Sequence, residues 1–308
     1  MDLANKKVVV TGGAGFVGAR VIERLKTRGV PAENIRVPLR EEFDLRKKTD
    51  CERAVSSANV VIHLAGITGN PLFHIEHAGE MFYDNLTMGA ELMEAARRAG
   101  AEKFIGIGSA TEYPARAAMP LDEGGLWNGP LAGPHVPYSW AKKMMLVQGE
   151  AYKAQYGFTA LHLMPTNMYG PWERLDNGFV IPMLITRFAE AKRTGTPNVT
   201  VWGTGSPTRD FLYVDDAAEA IVLAVEKYDS PDPVNIGSGA ETSIKELAEL
   251  VKKITGYEGE IIWDVSKPDG EPRRVLDVRK AEESFGFKAQ VPLEIGLEKT
   301  VHWYQENK

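Results

Sequence analysis

A single cysteine, Cys51, occurs in this 308-residue chain, so no intrachain disulfide can form and no thiolate metal cluster can be built. No apolar run approaches the roughly 18 residues of a membrane-spanning helix. The polar start, Met1 to Lys7, leads into only three apolar residues, too few for a secretory leader. A cytoplasmic protein with no membrane partner is expected. There is no basic excess either: 36 basic against 42 acidic residues give −6, which argues against a nucleic-acid partner and leaves room for a local basic pocket around a small anion. Repeats, low-complexity tracts and linker-like stretches are missing as well. The length suits one large domain, or a large and a small one sharing a cleft.

What is present is alternation. Apolar strand-like runs at 8–10, 35–37, 60–64, 104–108 and 160–164 are separated by helix-period stretches at 15–28, 49–56, 81–99 and 139–156. This predicts an α/β fold: a Rossmann-type, doubly wound parallel sheet covered on both faces. After Pro165 the pattern shortens, with isolated helices at 181–193 and 244–254 among prolines and glycines, and a helix-like return at 215–226. The expected organisation is a dinucleotide-binding domain over 1–165, rejoined by about 213–236. A smaller C-terminal substrate domain takes up most of 166–308.

The first strand runs into Thr11-Gly-Gly-Ala-Gly-Phe-Val-Gly18, with glycines at 12, 15 and 18. Such a turn lets backbone approach a pyrophosphate at the start of a helix. Its place between a strand and a helix separates it from a glycine turn used only for packing. The second strand ends Val37-Pro-Leu-Arg40 without the acid that usually binds the ribose of NAD. Arg40 suits a 2′-phosphate and favours NADP; as a solvated loop charge it says nothing, and NAD stays open. The candidate cofactor site is Gly12, Gly15, Phe16, Val17, Gly18, Arg40, Asp44, Leu45, Leu64 and Ala65, joined by Tyr138 and Lys142.

Tyr138-Ser-Trp-Ala-Lys142 follows Pro137 at an expected helix start. Four residues apart, the tyrosine and lysine share a helix face. A nearby ammonium stabilises phenolate, which makes Tyr138 usable as a general acid or base at a carbinol oxygen. Ser109-Ala-Thr111 stands at the end of the 104–108 strand, where ligands of doubly wound sheets bind. Ser109, Thr111, Tyr138 and Lys142 are therefore the candidate catalytic residues.

Glycine turn, strand-end serine and Y-x-x-x-K, in that order, resemble the extended short-chain dehydrogenase/reductase family of sugar-nucleotide enzymes over nearly the whole chain. The second half is similar to its GDP-L-fucose synthase branch, an NADPH-dependent 3,5-epimerase and 4-reductase. That likeness runs through Pro165-Thr-Asn-Met-Tyr-Gly-Pro171, Val201-Trp-Gly-Thr-Gly205, Thr208-Arg-Asp-Phe-Leu-Tyr-Val-Asp-Asp216 and Ser266-Lys-Pro-Asp-Gly270. The resemblance implies that Ser109 and Tyr138 contact the C4 oxygen while Lys142 supports Tyr138 and the ribose. It also implies that Asn167, Arg187, Trp202, Arg209 and Lys267 line a nucleotide-diphosphate site, a GDP-sugar being favoured. Arginines suit phosphate and tryptophan can cover a sugar or base, although each alone would also serve as a surface ion pair or as core.

The likeness breaks at two positions. Ser109-Ala-Thr-Glu-Tyr-Pro114 places Thr111 where the fucose synthases carry an epimerisation cysteine, and Phe179 precedes Val180-Ile-Pro182 where they carry a histidine. Neither replacement can remove a proton beside a ketone near neutral pH, so chemistry confined to C4 is expected. Two chemistries remain: an NADPH-dependent 4-keto reductase, or a 4-epimerase with retained NAD, whose Ser-Ala-Thr segment this one also resembles. A third reading, a non-catalytic dinucleotide-sensing protein, is opposed by the presence of both Tyr138 and Lys142. Glu112 reads as a loop carboxylate, and His74 and His77 as solvated residues of a polar loop over 66–79. No carboxylate-rich segment accompanies them, so no metal is expected. His63 reads as core. The apolar faces of the 81–99 and Tyr138 helices suit a homodimer interface of four helices, as the family implies.

Overall fold

The computed structural model describes residues 1–175 and 178–307. Along the first half the elements are β1 (Val8–Thr11), α1 (Phe16–Thr27), β2 (Ile35–Arg36), α2 (Lys48–Ala54), β3 (Val60–His63), α3 (Pro71–Glu76), α4 (Ala78–Arg98), β4 (Lys103–Ile107), α5 (Val136–Tyr156) and β5 (Thr159–Pro165). Strands β1, β3 and β4 are buried at every position. Strands covered on both faces need such unbroken apolar runs, which is why the sequence shows no alternation there.

The second half continues with β6 (Asn167–Tyr169), α6 (Val180–Thr194), β7 (Asn198–Trp202), β8 (Thr208–Arg209), β9 (Phe211–Tyr213), α7 (Val214–Lys227), β10 (Val234–Ile236), β11 (Thr242–Ser243), α8 (Ile244–Thr255), β12 (Glu260–Asp264), β13 (Arg273–Arg274), α9 (Arg279–Phe285) and α10 (Leu293–Glu306). Strand β10 pairs in parallel with β5, completing a six-stranded sheet ordered β10-β5-β4-β3-β1-β2. All its pairings are parallel. The order reverses at β1, which opens a crevice at the carboxyl ends of β1 and β3.

Helix α7 packs on α1. Its buried face of Ala217, Ala218, Ala220, Ile221, Ala224 and Val225 is rich in small residues, which lets the two axes come close. Each buried Val or Ile there contributes about 1.5–3 kcal/mol. A second core gathers Leu184, Ile185 and Phe188 of α6, Leu247 and Val251 of α8, and Leu297 and Val301 of α10. No helix among the described residues is long and apolar enough to cross a membrane.

One stretch differs from expectation. The supposed loop over 66–79 contains α3 and the start of α4. The Asn70 side chain accepts from the Phe73 amide at 2.9 Å and Pro71 fills the first turn, a capped start that needs no long apolar period. Six residues are too few for periodicity to register.

Candidate active site

The glycine turn leaves no room for side chains at Gly12 or Gly18. Gly12 has φ +70°, a left-handed conformation that favours glycine, and a Cβ there would stand 2.8 Å from the Ala65 amide nitrogen. At Gly18 a Cβ would fall 2.2 Å from the Gly12 carbonyl oxygen, so α1 starts directly against the turn. Gly15 caps α1 without a side-chain hydrogen bond, and no acid occupies the first turn. No side-chain cap or acid therefore takes up the first amides and the positive end of the helix dipole, which could hold a dinucleotide's diphosphate. Beside the turn, the Leu64 amide donates to the Thr11 carbonyl at 3.1 Å. Val17 and Leu64 line an apolar cavity of about 70 Å³ with Ile107, Leu163 and Met168, and Phe16 packs against the second core.

Arg40 is exposed in the turn after β2. The Asp44 carboxylate is engaged by Arg46, with bonds of 2.8 Å and 3.0 Å, and this hydrogen bonding holds it down to about 2. Leu45 is buried under the same loop.

Tyr138 and Lys142 share one face of α5, and the Lys142 ammonium lies 5.9 Å from the centre of the Tyr138 ring. Burial lowers Lys142 from 10.5 to about 8 and pushes the Tyr138 phenol above its ordinary value. A negative charge on Glu112 adds to the tyrosine's rise, and a hydrogen bond from Thr68 works against it. Asn85 of α4 holds the loop above Lys142: its Oδ1 accepts from the Ile67 amide at 2.9 Å and its Nδ2 donates to the Ile67 and Met81 carbonyls.

The β4 end supplies a chain of hydroxyls. Ser139 of α5 donates to Thr111 Oγ1 at 2.8 Å, and Thr111 donates to Ser109 Oγ at 3.0 Å. Ser109 and Glu112 form a capping box around a short 3₁₀ turn. Glu112, read from the sequence as a loop carboxylate, lies in that connecting turn but is fully buried and 2.8 Å from His162 Nε2.

His74 is likewise buried rather than solvated. It sits edge-on against His135, with centroids 4.4 Å apart, and its Nε2 is 3.3 Å from Thr68 Oγ1. The Nδ1 atoms of both rings are buried without a hydrogen-bond partner. Burial lowers His135 to about 4, aided by His74 and by the cationic Arg274. His77 stays exposed, 3.1 Å from Glu80. His63 is buried with Nδ1 2.8 Å from Thr11 Oγ1. Phe179 starts α6 at the rim of this region. Its neighbour Gly178 is so close to Asn70 that a Cβ there would meet Asn70 Nδ2 at 2.6 Å.

The remaining candidates fall in two groups. Trp202, 64% exposed, covers Lys267, whose Nζ is 5.5 Å from its ring, and lines an open cleft with Arg187. Arg187 donates to the Thr200 carbonyl at 2.8 Å. Trp202 is thus surface, not core. Asn167 and Arg209 lie nearer the sheet: Asn167 Nδ2 donates to the Asp210 carbonyl at 3.1 Å, and Arg209 to the Thr208 and Glu271 carbonyls at 2.7 Å. The 264–271 segment joins the groups, since Lys267 follows β12 and Gly270 approaches Arg209. Arg274 of β13, which the sequence did not mark, interacts electrostatically with both Arg209 and His135. It therefore links this cationic region to the start of α5.

A doubly wound sheet with an open-ended glycine turn and a Tyr–Lys pair at its carboxyl edge defines a nicotinamide-dinucleotide enzyme. Residues 8–237 match the NAD dependent epimerase/dehydratase family. A rice (Oryza sativa subsp. japonica) protein described as probable GDP-L-fucose synthase 1 is 40% identical, over 99% of this chain and 94% of its own. Among solved structures, a GDP-6-OMe-4-keto-L-xylo-heptose reductase from Campylobacter jejuni superposes with TM-score 0.91 at 26% identity, covering 99% of each chain. MlghC, a GDP-mannoheptose C4 reductase of the same organism with NADP bound, gives 0.88 at 27%, covering 98% of this chain and 99% of that one. The chain belongs to the NAD dependent epimerase/dehydratase family and is an NAD(P)-dependent enzyme of the sugar-nucleotide type that its motifs resemble.

Proposed function

We propose that this protein is an NADPH-dependent reductase of a GDP-linked 4-keto sugar that leaves C3 and C5 untouched. The observation that carries the restriction to C4 is the placement of Thr111. Its hydroxyl is held between Ser139 and Ser109, accepting from one and donating to the other, so it serves as a hydrogen-bonding group and not as a base. Phe179, at the start of α6, has no nitrogen to offer. The rice fucose synthase relative and the two Campylobacter GDP-sugar reductases support the substrate class.

Arg40 supports NADPH over NADH, because an exposed guanidinium after β2 suits a 2′-phosphate. Asp44, committed to Arg46, is poorly placed to serve ribose hydroxyls instead. Gly12, Gly15 and Gly18 would hold the diphosphate of the reduced cofactor, whose nicotinamide would supply the hydride for C4. Ser109, oriented by the hydroxyl chain, donates a hydrogen bond to the ketone oxygen and polarises it. Tyr138, held as phenol by burial, gives that oxygen its proton. Lys142, still cationic near neutral pH, stabilises the phenolate left behind. Trp202, Arg187 and Lys267, with Asn167 and Arg209, hold the nucleotide diphosphate.

The domain division at about residue 165, and a homodimer through α4 and α5, belong to the same reading. Large apolar side chains are exposed on those two helices, Tyr83 at 61% and Val147 at 40%. Stoichiometric NADPH consumption with a GDP-4-keto sugar, at rates well above those with NADH, tests the proposal. Tightly retained NAD⁺ with interconversion of C4 epimers overturns it in favour of a 4-epimerase.

A further inference from the structure

Directly behind the serine turn lies a buried carboxylate–imidazole pair. Both oxygens of Glu112 are committed: Oε1 accepts from the Ser109 amide at 2.7 Å, and Oε2 faces His162 Nε2 on β5 at 2.8 Å. The two side chains are 0% and 2% exposed. Glycine at 108 gives the pair its room, because a Cβ there would stand 2.4 Å from His162 Nε2 and 2.5 Å from Glu112 Oε1.

A carboxylate has no proton to give, so His162 Nε2 carries the hydrogen of this bond. Nδ1 of the same ring is buried without a partner. That fits a neutral ring, since a protonated one would bury a second N–H with no acceptor. Burying the carboxylate carries a desolvation penalty, offset by its bonds to the Ser109 amide and to His162.

We propose that Glu112, held by His162, is a positioning residue that fixes the Ser109 turn and makes this site proton-donating; the inference rests on the reductase reading and deepens it. The amide bond at 2.7 Å ties the Ser109 backbone to the carboxylate and so sets where the Ser139–Thr111–Ser109 hydroxyls end. Its charge faces Tyr138, Lys142 and Lys143 of α5, opposing the phenolate and favouring both ammonium groups. Lys143 also donates to the Glu112 carbonyl at 3.3 Å, and Tyr113 follows it in the turn. Around Tyr138 itself stand Thr68, His74 and Lys142. A tyrosine kept as phenol is the acid that ketone reduction requires, whereas alcohol oxidation needs the phenolate.

The test reads Tyr138 without turnover. Tyrosinate absorbance is titrated in the complex with oxidised cofactor, and the curve of Tyr138→Phe is subtracted. In Glu112→Gln the Tyr138 midpoint falls by about one pH unit, and reduction slows at least about tenfold, with cofactor affinity unchanged. The double variant Glu112→Leu/His162→Leu supplies the same readouts if the single change impairs folding, and it too shows the lowered midpoint. Wild-type midpoints and rates in a folded variant overturn the proposal. Failure of the wild type to reduce any 4-keto sugar nucleotide overturns the reductase reading alone, because the titration does not depend on substrate.

Discussion

The ring of His74 meets that of Tyr138 edge-on, with centroids 5.4 Å apart and planes at 88°. The contact fixes the phenol laterally, while Thr68 lies between the His74 nitrogen and the tyrosine. Removing the ring in His74→Ala should lower kcat about tenfold through misplacement of Tyr138, with little change in cofactor Kd. His74→Phe keeps the ring and should recover most of the rate. Equal loss in both variants would mean that the imidazole nitrogen, not the packing, matters.

Under the proposed reduction, Lys142 should set the alkaline limit. Burial lowers it to about 8, so its ammonium is present at pH 7 and lost above that value. Kinetic profiles of kcat/KM should fall above about pH 8, and Lys142→Met should lose activity by roughly 10²-fold or more at every pH. A flat profile to pH 10 would contradict the assignment.

Acid should weaken the fold through its histidines. His63 is lowered to about 3 and His135 to about 4, and His74 is lowered as well, in each case chiefly by burial. Below the ordinary value of 6.5 the unfolded chain therefore binds more protons, and stability declines as pH falls through about 6.5 towards 4. Glu123, Asp210 and Asp216 are raised by burial and act in the opposite sense. The clean reading is thus a difference: Tm should drop less between pH 7.5 and 5 in His135→Phe than in the wild type. An identical drop would contradict the argument.

The glycine turn admits no side chain at residue 18. Gly18→Ala brings a methyl within 2.2 Å of the Gly12 carbonyl, and backbone must move to relieve it. Cofactor affinity should fall at least about tenfold, roughly 1.4 kcal/mol, measured by calorimetry. Unchanged affinity would show that the turn does not cradle the diphosphate.

Local patterns were legible in the chain. Central strands appear as apolar runs, Gly12 to Gly18 as a tight glycine turn between strand and helix, and Tyr138 with Lys142 as neighbours on a helix, because each depends on residues within one turn or strand. At 215–226 the sequence offered a helix-like pattern, whereas the packing of α7 on α1 is a contact between distant segments that it did not show. What escaped are polar groups that meet across the fold. Glu112 and His162 are 50 residues apart, and His74 reaches His135 only because Asn70 and Pro71 start a helix too short to show a period. Arg274 had no motif to mark it. His63 was legible as core because it ends an apolar strand, but no such run surrounds Glu112 or His74, whose burial leaves no trace in the immediate sequence.

Hydride transfer to C4 without epimerisation is tested by one labelling measurement. A GDP-4-keto-6-deoxyhexose is reduced with NADPH carrying deuterium at the transferred position, in deuterium oxide, and the product is read by NMR. One deuterium from the cofactor should appear at C4, with protium retained at C3 and C5. Solvent deuterium at C3 or C5, or a product lacking cofactor deuterium at C4, would contradict it.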